Sequence, residues 1–207
     1  MASEMRSGLL RALRSGTQFD IPTDVLNACL HAEPRLLDDP PRIAAAEALI
    51  EGTLVGGTPI PAATRGEVLP VLGNIAEAVV EVILEEQGWQ PVGDDASGFS
   101  SGHGIDLLML DSTLERLIVI EVKSTIQPSR WPRLAAGRRE QLTPEWFDAP
   151  SNEGMVEWGL GAGDVHTMVA QIHLRRRRWR ACLANTLHTA HPLVDLDQLA
   201  SLEWLTA

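Results

Sequence analysis

The chain has no tyrosine, three phenylalanines and two cysteines among its 207 residues. None of its apolar runs approaches the ~18 residues that a membrane-spanning helix needs, so the sequence predicts no membrane partner. Cys29 and Cys182 are far apart, which favours free thiols in a reducing compartment over a disulfide framework. The N-terminal segment MASEMRSGLLRALRSG lacks the sustained apolar stretch of a secretory signal peptide, and we therefore expect a cytoplasmic protein.

Lysine is also nearly absent, because the chain has 16 arginines and a single lysine, Lys123. The excess of arginine indicates a codon preference, yet the one lysine lies beside a glutamate at the end of an apolar segment. A lysine ammonium is a compact point charge that can approach a water molecule and a phosphate oxygen. The position therefore favours a chemical role for Lys123 over chance retention.

Negative charge predominates, with a net charge of −11, but its distribution is uneven. Residues 1–122 carry a net charge of −12, whereas residues 123–180 carry +4. A polarised chain can bind a polyanion through its basic region while the remainder repels it. The acidic composition therefore does not exclude a nucleic-acid partner.

Helical patterning dominates the first part of the chain. Residues 1–67 predict a helical N-terminal extension that is interrupted by Pro- and Gly-rich breaks. From Leu72 the apolar residues recur at helical spacing until Gly88 provides a stop. At 100° per residue, Glu77 falls at the margin of the apolar stripe and Glu81 points away from it toward water. Glu77 can thus face whatever this helix packs against.

Strand patterns follow. WQPV at 89–92 indicates a first strand, and two further strands are expected at about 104–111 and 116–124. Their apolar residues occupy both faces, as in central strands that helices cover on each side. A long helix is expected over about 164–188, capped by Asp164. Residues 68–207 therefore predict an α/β domain with a central mixed β-sheet flanked by helices.

The segment GIDLLMLDSTLERLIVIEVKST, residues 104–125, places charged residues inside strands typical of a core. Asp106 lies near the start of the first strand, and Glu121 and Lys123 share one face near the end of the second. If the two strands pair antiparallel, Asp106 becomes a neighbour of Glu121 and Lys123. These charges need partners, because an isolated buried carboxylate or ammonium is very unfavourable.

Two arrangements would satisfy these charges. In the simpler one, Glu121 and Lys123 form an ion pair on the strand face, or face solvent on an edge strand. In the other, Asp106, Glu121 and a backbone carbonyl near Val122 bind a divalent cation such as Mg²⁺, which prefers oxygen ligands. Lys123 would then position or deprotonate a water molecule and offset charge on an attacked phosphate. Glu77 would hold the metal through water or orient the cluster.

These residues resemble the PD-(D/E)XK nuclease superfamily, which has the restriction-endonuclease-like fold. The resemblance covers about residues 70–147 and consists of a first helix with Glu77, GIDLLML with Asp106, and IVIEVKS with Glu121 and Lys123. Residue 105 is Ile in place of the Pro in the superfamily's name, a departure shared by many of its branches. QLTPEW, with Gln141 and Trp146, also resembles a Q…W element in nuclease domains of bacterial polymorphic toxins.

The resemblance implies a metal-dependent nuclease that hydrolyses phosphodiester bonds with Mg²⁺ or Mn²⁺, and DNA is the favoured substrate. It implies a bacterial toxin effector, with a cognate inhibitor (immunity) protein as partner, or a defence or repair enzyme. The implied catalytic residues are Glu77, Asp106, Glu121, Lys123 and Gln141; the implied metal ligands are Asp106, Glu121, Glu77 and Val122. Two alternatives remain, a non-catalytic module of the same fold that binds nucleic acid or protein, and an acidic inhibitor of a partner protein.

Arginines supply the candidate contacts to nucleic acid. The first group follows the EXK strand and comprises Arg130, Arg133, Arg138 and Arg139. The second belongs to RRRRWR at 175–180, where only two of four adjacent arginines on a helix, here Arg175 and Arg178, can face one ligand. For this second group, pairing with the acidic N-terminal half of the chain and a solvated helix face are the alternatives.

Overall fold

A computed structural model describes residues 18–92, 106–110, 117–132 and 165–182, and the fold is given for these residues. The helices are α1 (Thr23–Ala32), α2 (Pro40–Glu51) and α3 (Ala62–Glu86). The strands are β1 (Phe19–Asp20), β2 (Gln90–Pro91), β3 (Leu107–Leu110), β4 (Leu117–Thr125), β5 (Val165–His173) and β6 (Arg178–Cys182). A 3₁₀ turn, Leu174–Arg176, joins β5 to β6. The described part of the chain contains no helix that could span a membrane.

The strands form one mixed sheet in the order β1-β6-β5-β4-β3-β2. Only the β4–β5 pair is parallel among the described strands, and the other neighbours are antiparallel. The expected α/β class with a mixed sheet and helices is therefore confirmed. The predicted first strand at 89–92 is present as β2.

The predicted hairpin is confirmed, and its register determines which residues of β3 and β4 are neighbours. Leu107 pairs with Ile120 and Leu110 pairs with Leu117, so β4 continues beyond the point where β3 starts. The run Ile118–Ile120 is fully buried, as its β-branched composition favours in a central strand. Residues 121–123 of β4 consequently extend past β3 along the edge that β3 leaves open.

Helix α3 is the main helical support of the sheet. It packs against β4 and buries an apolar stripe that includes Ile75, Val79 and Val80. The helix begins ten residues before Leu72, with Pro70 inside it, and Gly88 follows its end with φ +86°. Glu81 differs from the prediction, because it is half-buried rather than turned to water and its pKa is raised by burial and by Glu85.

The N-terminal elements share the core of the sheet. Helices α1 and α2 pack on α3, and β1 pairs with β6 at the edge. Their buried residues, such as Leu26 and Leu49, belong to the same cluster as the strand residues. The boundary expected at residues 67/68 falls inside α3. Cys29 is a buried free thiol within this core.

The helix predicted over 164–188 is wrong in its described part. Residues 165–182 form β5, the 3₁₀ turn and β6, and Arg177 at φ +50° reverses the chain. The apolar residues at 165, 168, 169 and 172 fit helical spacing, but a buried strand allows the same pattern. Pairing of β5 with β4 over nine residues decides the outcome, and that pairing is invisible in the local sequence.

Candidate active site

Asp106 immediately precedes β3, at the level of the sheet where β4 continues without β3 as its neighbour. Extending the β3–β4 register by one residue places Asp106 opposite Glu121. The Asp106 Oδ2 atom accepts a hydrogen bond of 2.6 Å from the backbone N–H of Val122. This bond fixes the carboxylate against β4, because the strand amide has no β3 residue to pair with at that position. The sheet register therefore brings Asp106 and Glu121 together, as the sequence predicted.

The ammonium of Lys123 lies near three oxygen atoms. Its Nζ atom donates to Glu121 Oε1, donates to the Val122 carbonyl oxygen at 3.2 Å and lies 3.8 Å from Asp106 Oδ2. Glu121 is 1% exposed, whereas the Lys123 and Asp106 side chains keep 24% and 21% of their surface. The cluster is thus buried at Glu121 and open to solvent on the side of Asp106 and Lys123.

Glu77 of α3 interacts electrostatically with the charges of this cluster. Its pKa is raised to about 7, first by burial and next by the negative charge of Asp106. Lys123 acts in the opposite direction, and Glu121 and Glu33 add smaller increases. A carboxyl whose pKa responds to Asp106, Lys123 and Glu121 lies on the side of the helix that faces them. Among these four residues, three carboxyl groups surround one ammonium.

Glu33 is a neighbour that the sequence analysis missed. It follows α1, is 8% exposed, and its Oε1 atom accepts from the backbone N–H of Arg35 at 3.2 Å. Its charge contributes to the raised pKa of Glu77 because α1 packs on α3. No local pattern marks Glu33, since only the packing of two helices brings it near the site.

A metal at this site would rely on two carboxylates. Within the described residues, no group of three His, Cys, Asp or Glu side chains is arranged to hold a metal ion. Asp106, Glu121 and the Val122 carbonyl nevertheless surround one cationic atom, the Nζ of Lys123. Mg²⁺ commonly takes one or two carboxylates and completes its octahedron with waters and substrate phosphate. The donor set of Asp106, Glu121 and the Val122 carbonyl suits such an ion.

Two polar residues extend the site across the sheet, and neither was predicted. Gln171 of β5 lies beside Lys123 in the parallel register, and Arg180 of β6 lies opposite Gln171. They are 1% and 3% exposed. Residues at paired positions point to the same face, so Lys123, Gln171 and Arg180 form one row. Assigning residues 165–182 to strands instead of a helix would have identified both residues.

The arginines of residues 175–178, which we call the arginine turn, contact the N-terminal half of the chain and the segment after β4. The Arg178 Nε atom lies 3.2 Å from Asp20 Oδ1. Arg177 donates to Thr23 Oγ1 at 2.8 Å and lies 3.9 Å from Glu51. The remaining two contacts join Arg175 to Gly52 and Arg176 to the carbonyl of Pro128. The intramolecular alternative from the sequence is thus realised at Arg178, and Arg175 and Arg178 do not share a helix because Arg178 begins β6.

Arg130 is the one described member of the first arginine group, and it is exposed in the segment that follows β4. The other members, Arg133, Arg138 and Arg139, lie outside the described residues, as do Gln141 and Trp146.

Comparison of the chain with protein-family models, curated proteins and solved structures found no match.

Proposed function

We propose that this protein is a metal-dependent nuclease with a restriction-endonuclease-like fold, acting on DNA. The observation that carries the proposal is the convergence of Asp106, Glu121 and the Val122 carbonyl on one cationic position. The topology supports it: helix α3 is followed by three antiparallel strands, and β5 then pairs in parallel with the strand that carries Glu121 and Lys123. Within it, helix α3 followed by the β3–β4 hairpin is the order that the resemblance to PD-(D/E)XK nucleases implies.

Asp106, Glu121 and the Val122 carbonyl would hold Mg²⁺ or Mn²⁺. When bound, such an ion withdraws charge from an attacked phosphate and lowers the pKa of a coordinated water. Lys123 acts beside it, since its ammonium can donate to a phosphate oxygen or hold a water molecule in line with the phosphorus. Glu77 would orient water near the cluster.

The ion pair of Lys123 with Glu121 gives this buried carboxylate an internal counter-ion. Without it, a carboxylate that is 1% exposed would lack its nearest cation, which is strongly unfavourable. If Asp106 and Glu121 held a divalent ion, its charge would neutralise Glu121, and Lys123 would be available to contact substrate.

The proposal is tested by incubating supercoiled plasmid with magnesium and resolving nicked and linear products. We expect wild type to cleave, and both a chelator and Lys123→Ala to abolish cleavage. Glu81→Gln is the matched control, because Glu81 is also a half-buried carboxylate of α3 with a raised pKa. Cleavage that persists in Lys123→Ala would contradict the assignment of this site.

A second candidate is a non-catalytic module of the same fold that binds nucleic acid or protein. It is favoured by one observation, namely the ion pair between Lys123 and Glu121, which matches a buried carboxylate with an ammonium of the same strand. This candidate predicts binding that ignores both chelation and Lys123→Ala. Plasmid binding in gel-shift assays without any magnesium-dependent cleavage would select it over the nuclease.

The biological role that we propose is a toxin effector held in check by an inhibitor protein. It rests on the resemblance of QLTPEW, with Gln141 and Trp146, to toxin nuclease domains. Expression of the chain in bacteria should arrest growth, and Lys123→Ala should restore it. Growth unaffected by an expressed wild-type protein that cleaves plasmid in vitro would favour a defence or repair role instead.

A further inference from the structure

The segment that follows β4, residues 127–132, is bonded near its start to the arginine turn and at its end to β5, and we call it the strap. Near its start, the Pro128 carbonyl accepts a hydrogen bond from the Arg176 guanidinium. At its end, the Pro132 carbonyl accepts from Gln171 Nε2 at 2.6 Å. Both carbonyls belong to residues without regular secondary structure, so side chains satisfy them in place of a strand ladder. The strap therefore lies in a defined position rather than extending from β4.

Trp131 is held from a second direction. The guanidinium of Arg180 lies 4.3 Å from the centre of the Trp131 ring, within the range of a cation–π contact. The imidazole of His173 meets the same ring edge-on at 5.9 Å between centroids. Arg180 Nε also donates to Gln171 Oε1 at 2.7 Å. Gln171 thus joins Arg180 on one side to the end of the strap on the other.

This fastening is adjacent to the candidate active site. Gln171 lies beside Lys123 in the β4–β5 register and on the same face of the sheet. The strap begins four residues after Lys123 and returns over this face to reach Gln171. Between its two fixed ends the strap exposes Arg130. The strap thus carries an exposed arginine in a segment whose end is held by Gln171, the neighbour of Lys123 in the sheet.

We propose that Gln171 and Arg180 are positioning residues that hold the strap so that Arg130 binds the phosphate backbone of the substrate beside the scissile bond. This inference rests on the proposed nuclease function and adds to it a backbone-binding element. An arginine on an unfastened loop would lose more conformational entropy on binding than one already in place. Fixing the strap thus raises the affinity that a single phosphate contact provides.

Burial argues for such a role. Gln171 and Arg180 are among the few polar side chains inside the described core, and burying polar groups stabilises a fold less than apolar residues of similar volume would. Gln171 donates to the Pro132 carbonyl of the strap, and Arg180 donates to Gln171 and stacks on Trp131 of the strap. We expect such buried polar residues to be retained if the position of the strap is required for function.

A double-mutant cycle tests the proposal, with binding of a labelled DNA duplex measured by anisotropy in chelator so that no cleavage occurs. We expect Arg130→Ala to weaken binding about tenfold, as loss of one charged phosphate contact does. Gln171→Leu should produce a similar loss, and the double variant should lose no more than either single variant. Independent roles would instead multiply to about a hundredfold.

Three controls separate positioning from general destabilisation. Arg180→Lys keeps the charge but loses the Nε bond and the planar stacking, and it should behave as Gln171→Leu does. Ile172→Val perturbs the same strand on its other face and should leave binding unchanged. Trypsin should cut after Arg130 faster in Gln171→Leu than in wild type or Ile172→Val.

The outcomes are distinguishable from failure of the proposed function. Multiplicative losses in the cycle, or trypsin cleavage at Arg130 that Gln171→Leu does not accelerate, would overturn the positioning role while plasmid cleavage by wild type stands. Wild type that neither binds the duplex nor cleaves plasmid would overturn the nuclease proposal and this inference with it. Non-multiplicative losses with faster trypsin cleavage support the inference.

Discussion

Two groups of charged residues lie near the C-terminal ends of the parallel strands β4 and β5, and they differ in what surrounds them. The cluster of Asp106, Glu121 and Lys123 lies at the open end of the hairpin, with Glu121 1% exposed. The arginine turn lies just after β5, and its Arg178–Asp20 pair is 47% and 82% exposed. Charges of the first group face each other inside the protein, whereas those of the second fasten surface segments to it.

The comparison shows that charge density alone does not identify a functional site. Four adjacent arginines are the strongest charge signal in the sequence, yet those of the arginine turn contact neighbouring parts of the chain. Two carboxylates and one lysine are a weaker signal, but they stand in strands where charge is costly. Charged residues inside buried strands are therefore the better indicator of a functional site.

The largest expected difference between the two groups is in catalysis. Asp106→Asn and Glu121→Gln should each reduce the rate of magnesium-dependent plasmid cleavage by about a thousandfold or more, because each removes charge that offsets the metal. Arg178→Ala should stay within about threefold of wild type, since its partner is Asp20 on the surface. Initial rates at saturating magnesium measure this, and a similar loss in all three variants would remove the distinction.

The pH dependence of stability is the next largest effect. Glu77 has a pKa raised from 4.5 to about 7, so the folded protein holds this proton where the unfolded chain has released it. The free energy of unfolding in chelator should therefore fall as pH rises from about 4.5 to 7, by up to about 3 kcal/mol. Glu77→Gln should lack this component. Urea unfolding of both proteins at pH 4.5, 6 and 8 measures it, and parallel pH profiles would contradict the burial of Glu77.

Removal of the counter-ion should have a smaller effect on stability. Lys123→Met leaves Glu121 without its nearest cation and should lower the free energy of unfolding in chelator by roughly 2 kcal/mol. Magnesium should recover much of that loss, because a bound cation replaces the ammonium. Urea unfolding with and without magnesium measures both values. A loss that magnesium does not reduce would indicate that Lys123 is only an ion-pair partner.

The smallest effect is expected at the arginine turn. Arg178→Met should lower the free energy of unfolding by about 0.5 kcal/mol, since exposed ion pairs contribute little. The loss should shrink in high salt because the pair is screened, and magnesium at equal ionic strength should not change it. Parallel urea titrations against Lys123→Met provide the comparison. A larger, magnesium-dependent loss at Arg178 would place it in the site.

The hairpin and its charges were predictable from the sequence because both depend on local order. Alternation fixes the shared face of Glu121 and Lys123, and antiparallel pairing brings Asp106 to them. Glu77 followed from the margin of a helical stripe. These inferences need only the geometry of one strand pair and one helix, which the sequence specifies well.

Other parts depended on long-range packing. Residues 165–173 carry apolar spacing that suits a helix, and only the partner strand β4 makes them a strand. Gln171 and Arg180 were missed for that reason, because their neighbours Lys123 and Trp131 are distant in sequence. Glu33 was missed because two helices must pack before it approaches Glu77. The prediction for Gln141 lies outside the described residues.

The most direct test of the central claim is a titration of the protein with Mn²⁺ followed by the electron paramagnetic resonance signal of the free ion. We expect wild type to bind one or two ions, Asp106→Asn to lose that binding, and Glu81→Gln to retain it. Equal binding by wild type and Asp106→Asn, or no binding by wild type, would show that these oxygens do not form a metal centre.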